Sequence, residues 1–464
     1  MLWPPLVERV ALIVDPSRTL LVGGCVRDAL RHAEIHDLDL VTHDSGLEVA
    51  RVVANALGGD FYPLDTSRRT GRALISDNDN QFVIDVASLR GENLLEDLNR
   101  RDFTVNAMAV AFDSLDSLID PLGGQDDLLS TKLIRQCQPA SIADDPIRAL
   151  RAVRLSLQLG LRLESNTREA VRNAAALLTS ESGSLAQPER VRDEIFKTMG
   201  GVRPVSALRL LSSLGILNAI FPIERADTES LNARFAVTES AYKLLSIISH
   251  RRNDDTAADL MLGVAVMILD RYRTELQRHL NQSYASGRAR SSLLLIHAFG
   301  YQALRWQDWG INLRLSNDEL HVLNWLDKAR QHEWASLERP TDRDIFRYYR
   351  DANEAGVDGV LLWLADFLSR RQPSPDPKAW GRALDKVAAP FIEAYFRRHA
   401  EVVAPSALLN GNEILKRFNV EPGPLIGSIL DQLIEEQAAG VVKTKEQALA
   451  LASRLLSDNL DRST

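Results

Sequence analysis

The chain has 464 residues, 45% of them apolar and 25% charged, and a net charge of −8. That is the composition of an ordinary folded protein, too long for one hydrophobic core, so about two to four domains are expected. The negative total excludes a surface coated in basic charge, though not a local stripe for nucleic acid, and the residues from Thr131 to Leu210 do carry 13 Lys and Arg against 8 Asp and Glu. Cys25 and Cys137 have no metal-ligand spacing, which argues against zinc and for a reducing, cytoplasmic setting. No apolar run approaches the ~20 residues of a membrane span, and the first residues lack the pattern of a secretory signal.

In chain order, residues 1 to about 130 mix strand and helix signals. Ser17 to Gly23 and Asp37 to Thr42 read as strands, and Leu47 to Leu57 as a helix closed by Gly58 and Gly59. Further strands are expected at Phe61 to Leu64, Arg72 to Ile75 and Phe82 to Ala87, with Asp65 to Gly71 as a mobile basic loop. A helical stretch runs from Arg90 through Met108, a strand covers Ala109 to Phe112, and Ile119 to Gly124 is a turn. From Asp127 the strand signals fade and the pattern is helical almost to the end. Breaks fall near Gly200–Gly201, Asp254–Asp255, Ser283 to Gly287, Pro340 and Pro373 to Pro377. Arg371 to Lys378 is the best linker, and Leu408 to Leu456 reads as two or three short helices. The fold class expected is α+β, an α/β head with a mixed sheet followed by helical domains.

Asp37 and Asp39 are two apart on a strand and so face the same way. Side by side, two carboxylates resist ionising unless a cation sits between them, and a hard divalent ion such as Mg²⁺ suits their oxygens. Asp85, inside the apolar strand FVIDVA, is costly unless paired or metal-bound, and on a neighbouring strand it would complete an acidic triad. Three acids around two metal ions are what phosphoryl or nucleotidyl transfer needs. Gly23 and Gly24 allow the close backbone approach to a triphosphate that side chains would block.

Five stretches then carry a resemblance: GGCVRDAL with HDLDLVT, RRDFTVNAMA, DPLGG, DDPIRALRAVR and PERVRDE. Their order resembles that of class II tRNA nucleotidyltransferases and bacterial poly(A) polymerases, within the polymerase β-like nucleotidyltransferase superfamily, over roughly the first 210 residues. The resemblance implies Asp37 and Asp39 as metal ligands, Asp85 as the third acid, and Arg27 beside Gly23 and Gly24 at the nucleotide. It implies ribose recognition by Arg100, Arg101, Asp102 and Asn106, and a head-to-neck link at Asp120 and Gly124. Asp145 and Arg148 match the pair that reads the base edge, and Glu189, Arg190 and Arg192 the helix that braces them. It further implies a head over 1–130, a neck over 131–210, a body over 211–372 and an RNA-binding tail over 373–464.

The base-reading pair has its own physics. Three apart, Asp145 and Arg148 would share a helix face. An ionised Asp only accepts hydrogen bonds and Arg only donates, which suits the amino group beside a ring nitrogen on both cytosine and adenine. Guanine and uracil present the reverse order and would leave buried groups unpaired. Arg148, Arg151 and Arg154 line one side of the same helix. With Arg68, Arg69 and Arg72 in the loop, they are candidates for triphosphate or RNA backbone.

Three departures stand out. Asp144 occupies a place where the family commonly has Glu, and Arg31–His32 follow the first glycine motif where many members have Gly. The nearest approach to an HD phosphohydrolase motif reads His297–Ala298, so that activity is not expected and His297 is a core or surface residue.

The function expected is template-independent addition or repair of the tRNA 3′ CCA from CTP and ATP with Mg²⁺, two ions in all. A poly(A) polymerase, or an enzyme adding only CC or only A, would share every head motif. An inactive RNA-binding module is the remote alternative. No protein partner is called for.

Overall fold

The computed structural model describes residues 1–77, 80–180, 184–223, 227–249, 259–334, 338–369 and 376–460. It divides into two compact units, Met1–Ile220 and Phe221–Thr464. The break expected at Asp254–Asp255 and most of the linker expected over 371–378 lie outside the described residues.

The first unit is built on a seven-stranded mixed sheet. Its strands are β1 (Thr19–Val22), β2 (Asp37–Thr42), β3 (Asp60–Asp65), β4 (Thr70–Asp77), β5 (Asn80–Ser88), β6 (Ala109–Ala111) and β7 (Leu118–Ile119), in the order β3-β4-β5-β2-β1-β6-β7. Among the described residues of this sheet, β2 and β5 are the one parallel pair, and that pairing sets Asp39 level with Asp85. On the other side of β5, the antiparallel register sets Arg72 of β4 opposite the same Asp85. Strand β2 shows why the sequence folds this way: Leu38 and Leu40 are 1% exposed in the core, while Asp37 and Asp39 alternate onto the opposite face. Each such fully buried Leu contributes roughly 2 kcal/mol, and a slip of one residue would bury the acids instead.

Helices fill the spaces between strands. Helix α1 (Leu6–Ala11) precedes β1, α2 (Gly24–Leu30) connects β1 to β2, and α3 (Gly46–Leu57) packs on β3, β4 and β5. Gly58 ends α3 in the left-handed conformation, φ +71°, as its C-terminal position requires. The helix expected from Arg90 through Met108 is broken in the structure. It forms only as α4 (Leu94–Asn99), capped by Asn93, and a short 3₁₀ turn at Thr104–Asn106. Between them, Asp102 O accepts from Cys137 N and Thr104 N donates to Arg135 O, and these long-range bonds win over local helix formation.

The turn at Asp120 does cap a helix. Both Asp120 oxygens accept backbone N–H groups, from Gly124 and Gln125, at the start of α5 (Gly124–Leu129). A side chain at Gly124 would strike Thr104 O, so this approach needs glycine. After α5 come β8 (Leu133–Ile134), α6 (Ser141–Asp144), α7 (Ile147–Leu159), β9 (Arg162–Leu163), α8 (Ser165–Asn173) and α9 (Pro188–Met199). The strand pair β8–β9 is a small exception to the all-helical pattern expected beyond Asp127. Helices α7 and α9 pack together and carry half of the basic side chains that line the cleft described below.

The second unit is helical. Thr228–Ile248, Arg290–Gly300, Asn317–Gln331, Asp342–Ala352 and Gly356–Ser369 pack around Phe299, Tyr348, Trp380 and Phe391. Its last three helices, Gly411–Phe418, Pro424–Ala438 and Lys445–Leu460, enclose a separate cluster that includes Leu409, Ile414, Ile429 and Leu456. No helix among the described residues is long and apolar enough to cross a membrane.

Candidate active site

A cleft of about 1270 Å³ opens in the first unit, lined by residues of the glycine turn, β2, the β3–β4 turn, the segment Ser88 to Arg90, the Arg101 to Asn106 segment, α7 and α9. Ten Lys and Arg line it against six Asp and Glu, so it is positive in a chain that is negative overall. A polyanion is what such a concentration of charge attracts.

At its floor, Gly23 adopts φ +78°, and a side chain there would come within 3.0 Å of Arg101 Nη1 and 3.1 Å of Asp39 Oδ2. Gly24 opens α2, and its backbone N–H favours the charged Asp39 carboxylate. Burial raises the Asp39 carboxyl above its ordinary range. Arg101 opposes that shift, while the charges of Asp85 and Asp37 reinforce it. This surplus of negative charge is what a cation relieves. Among the described residues no three Asp, Glu, His or Cys side chains gather into a metal cage. A hard divalent cation that takes one or two carboxylates, and fills its remaining positions with phosphate oxygen and water, fits Asp37 and Asp39.

Asp85 is level with Asp39, yet its oxygens accept from Arg72 Nε and Nη2 at 2.7 and 2.8 Å. Arg72 lies within strand β4, in line with the strand expected from Arg72 to Ile75 and not in the loop with Arg68 and Arg69. That loop is a tight turn in which Asp65 accepts from Ser67 and from the Arg68 N–H. Arg68 and Arg69 line the cleft from there.

The segment expected to recognise ribose is tied into a network. Arg27 donates to both oxygens of Asp28 and, through Nη1, to Asn106 Oδ1 at 2.6 Å. Asn106 donates in turn to Asp102, which also accepts from Arg151 at 3.1 Å. Arg151 and Arg154 both donate to Glu194 of α9. Burial alone would raise the Asp102 and Glu194 carboxyls, but Arg151 beside the first, and Arg154 with Arg151 beside the second, hold them below their usual values. Arg101 pairs with the buried Asp97 at 3.0 Å, whereas Arg100 points outward and offers its carbonyl to Arg148.

Asp145 is not on the helix. It precedes Pro146, with φ −140° and ψ 89°, and the residue before proline is kept out of the helical region. Its carboxylate is gripped by Arg190 at 2.9 and 2.7 Å, with Arg148 Nε 3.6 Å away. Arg148 donates to Ser141 Oγ and to the carbonyls of Arg100 and Arg101. Asp145 and Arg148 thus come together, though not as two positions of one helix face. Of the helix expected to brace them, Arg190 does so directly. Glu189 is exposed, and Arg192 pairs with Asp193.

Several cleft residues carried no signal in the sequence. Glu194 stands in the PERVRDE stretch with nothing local to mark it as a cleft residue, and Arg90 and Lys197 are separated from the motifs. Burial lowers the Arg90 guanidinium, and Arg101, Arg148 and Arg68 add repulsion that Asp97 only partly offsets. Cys25, beside Asp39, is buried and its thiol is pushed up to about 12, which leaves it no role as a nucleophile.

In the second unit, His297 is fully buried with Nε2 3.0 Å from Asp327 Oδ1, and burial lowers it to about 4. It is a core histidine stacked on Trp306.

With the geometry in view, comparisons with known proteins decide the family. A model described as the poly A polymerase head domain matches residues 19–135, and one described as the probable RNA and SrmB-binding site of polymerase A matches residues 160–226. The A-adding tRNA nucleotidyltransferase of Deinococcus radiodurans is 30% identical over 452 residues, covering 95% of this chain and 96% of that protein. The chain belongs to the tRNA nucleotidyltransferase family. The CC-adding tRNA nucleotidyltransferase of Geobacter sulfurreducens is 28% identical over 428 residues, covering 92% of the transferase described here and 89% of its own length. The fold of the transferase is shared with a CCA-adding enzyme solved with CTP, at a TM-score of 0.65 and 19% identity over 98% of this chain and 96% of that one. The transferase is a nucleotidyl-transferring enzyme of tRNA processing, and its α+β architecture is that of its relatives.

Proposed function

We propose that the transferase completes or repairs the 3′-terminal CCA of tRNA, adding C from CTP and A from ATP and releasing pyrophosphate. The observation that supports this most is the meeting of Asp145 and Arg148 in the cleft that also holds Asp39, Gly23 and Gly24. Asp145 keeps acceptor capacity beyond the two bonds from Arg190, and Arg148 keeps donors beyond those spent on carbonyls. An acceptor beside a donor fits cytosine and adenine alike.

In this reading, Asp37 and Asp39 hold Mg²⁺. Bound there, two ions would activate the primer 3′ hydroxyl and neutralise the departing pyrophosphate. The Gly23–Gly24 backbone admits the triphosphate, while Arg90 and Arg101 supply positive charge in the cleft. Asp102, Asn106 and Arg27 present a fixed polar face to the ribose. The head would span 1–130 and the neck 131–210. The body over 211–372 and the tail over 373–464 would hold the tRNA, in a cytoplasmic setting that the free Cys25 and Cys137 suit.

Partial addition is the second reading, because relatives matched along nearly the whole chain are named as CC-adding or A-adding enzymes. The deciding experiment gives the pure enzyme tRNAs ending before CCA, after C and after CC, with CTP or ATP separately. Two C additions followed by one A support the proposal. Arrest after CC, or A addition alone, establishes the second reading, and a long A tract points to a poly(A) polymerase.

A further inference from the structure

Arg72 is not needed by the mechanism above, yet it occupies the acid best placed to extend the metal site. Across β4, β5 and β2, the registers set Arg72 opposite Asp85 and Asp85 beside Asp39, so the three side chains form a row on one face of the sheet. The Arg72 fork takes both Asp85 oxygens, at 2.7 and 2.8 Å. A planar guanidinium bonded in this way uses the carboxylate lone pairs that a metal ion would need, and places a positive charge beside the row. The pair is not sealed in: Arg72 is 38% and Asp85 27% exposed, so it can open without unfolding anything.

We propose that Arg72 is a resident counter-cation of the carboxylate row, competing with divalent metal for Asp85. This rests on the reading of Asp37 and Asp39 as metal ligands. In the free enzyme Arg72 keeps Asp85 out of the metal's reach, so the metal is held weakly until a nucleotide brings further oxygen ligands. Arg72 is a positioning residue here, acting through Asp85.

The test is Mn²⁺ binding by the full-length enzyme without nucleotide, with free Mn²⁺ followed by electron paramagnetic resonance. R72Q is expected to bind about tenfold more tightly than the unsubstituted enzyme. R72K, which keeps the charge, is expected to stay within about threefold of it and guards against a folding defect in R72Q. Adding D85N to R72Q is expected to abolish the gain. Mn²⁺ affinity that depends on Asp39 but is unchanged or weaker in R72Q overturns the role of Arg72 alone. Affinity untouched by D39N overturns the metal reading, and the proposal with it.

Discussion

Arg190 grips Asp145 across 45 residues of chain, with Nη1 and Nη2 at 2.9 and 2.7 Å from the two carboxylate oxygens. Because Asp145 lies outside any helix, this bond and the turn at Pro146 are what fix its direction. Arg190→Ala is expected to raise misincorporation of UTP and GTP about tenfold relative to CTP and ATP. The fold should hardly suffer, since so exposed a pair contributes only about 0–1 kcal/mol. Single-nucleotide incorporation assays measure the ratio, and unchanged base selectivity would remove Arg190 from the account.

Glu194 is 3% exposed and serves both Arg151 and Arg154. Glu194→Gln is expected to cost about 3 kcal/mol, because it leaves two guanidiniums short of a partner. The folded-state values of Glu194 and Asp102 lie below their ordinary 4.5 and 3.8. Their contribution is therefore complete above those ordinary values and lost as pH falls through the depressed ones. Urea denaturation should show stability dropping below about pH 4.5, with a flatter acid limb in the Gln variant. Identical limbs would argue against the pairing.

Asp39 carries the opposite sign. Its carboxyl is raised by burial and by Asp85 and Asp37, so ionising it at neutral pH weighs against the metal-free fold. Asp39→Asn is expected to abolish incorporation while raising the melting temperature of the metal-free protein at neutral pH. The gain should vanish as the pH is lowered towards the ordinary carboxylate value of 3.8, where the native Asp39 is itself protonated. Retained activity would dismiss Asp39 as a metal ligand.

Gly23→Ala confronts a positive φ and two functional groups about 3 Å away, Arg101 and Asp39. The strain should cost about 1–2 kcal/mol, and displacement of Asp39 should lower kcat at least tenfold. Steady-state kinetics with CTP would reveal this, and a wild-type kcat would mean the turn has slack that its geometry denies.

His297 is neutral in the folded state until pH falls to about 4, against 6.5 when exposed. Its contribution is present above pH 6.5 and is lost on acidification towards 4, about 3 kcal/mol in all. His297→Gln should flatten stability across that window in thermal melts. The same variant, like the parent, should show no metal-dependent phosphatase activity towards p-nitrophenyl phosphate; hydrolysis by the parent that His297→Gln removes would contradict a purely structural histidine.

What the residues disclosed in advance follows a physical division. Strand β2 was readable because Leu38 and Leu40 alternate with Asp37 and Asp39, a local pattern that only one register satisfies. The local pattern favours a helix through Arg100 to Phe103, but bonds to Cys137 and Arg135, more than 30 residues on in the chain, override that preference. Asp145 could have been placed correctly, since Pro146 bars it from the helix. Nothing local distinguishes Glu194 from the exposed Asp193 beside it, because only the packing of α9 on α7 decides which acid is buried. Arg72 belongs to the same class: its role is set by the β4–β5 register.

The bonds from Arg27 through Asn106, Asp102 and Arg151 to Glu194 run unbroken from the glycine turn to α9. If Asp102 and Asn106 meet the ribose and Asp145 the base, as proposed, the two kinds of discrimination share α9, which carries both Glu194 and the Arg190 that holds Asp145. Substitutions that relax either kind of fidelity should relax both, and an engineered enzyme that accepts a new base while still refusing DNA precursors will need compensating changes along this line.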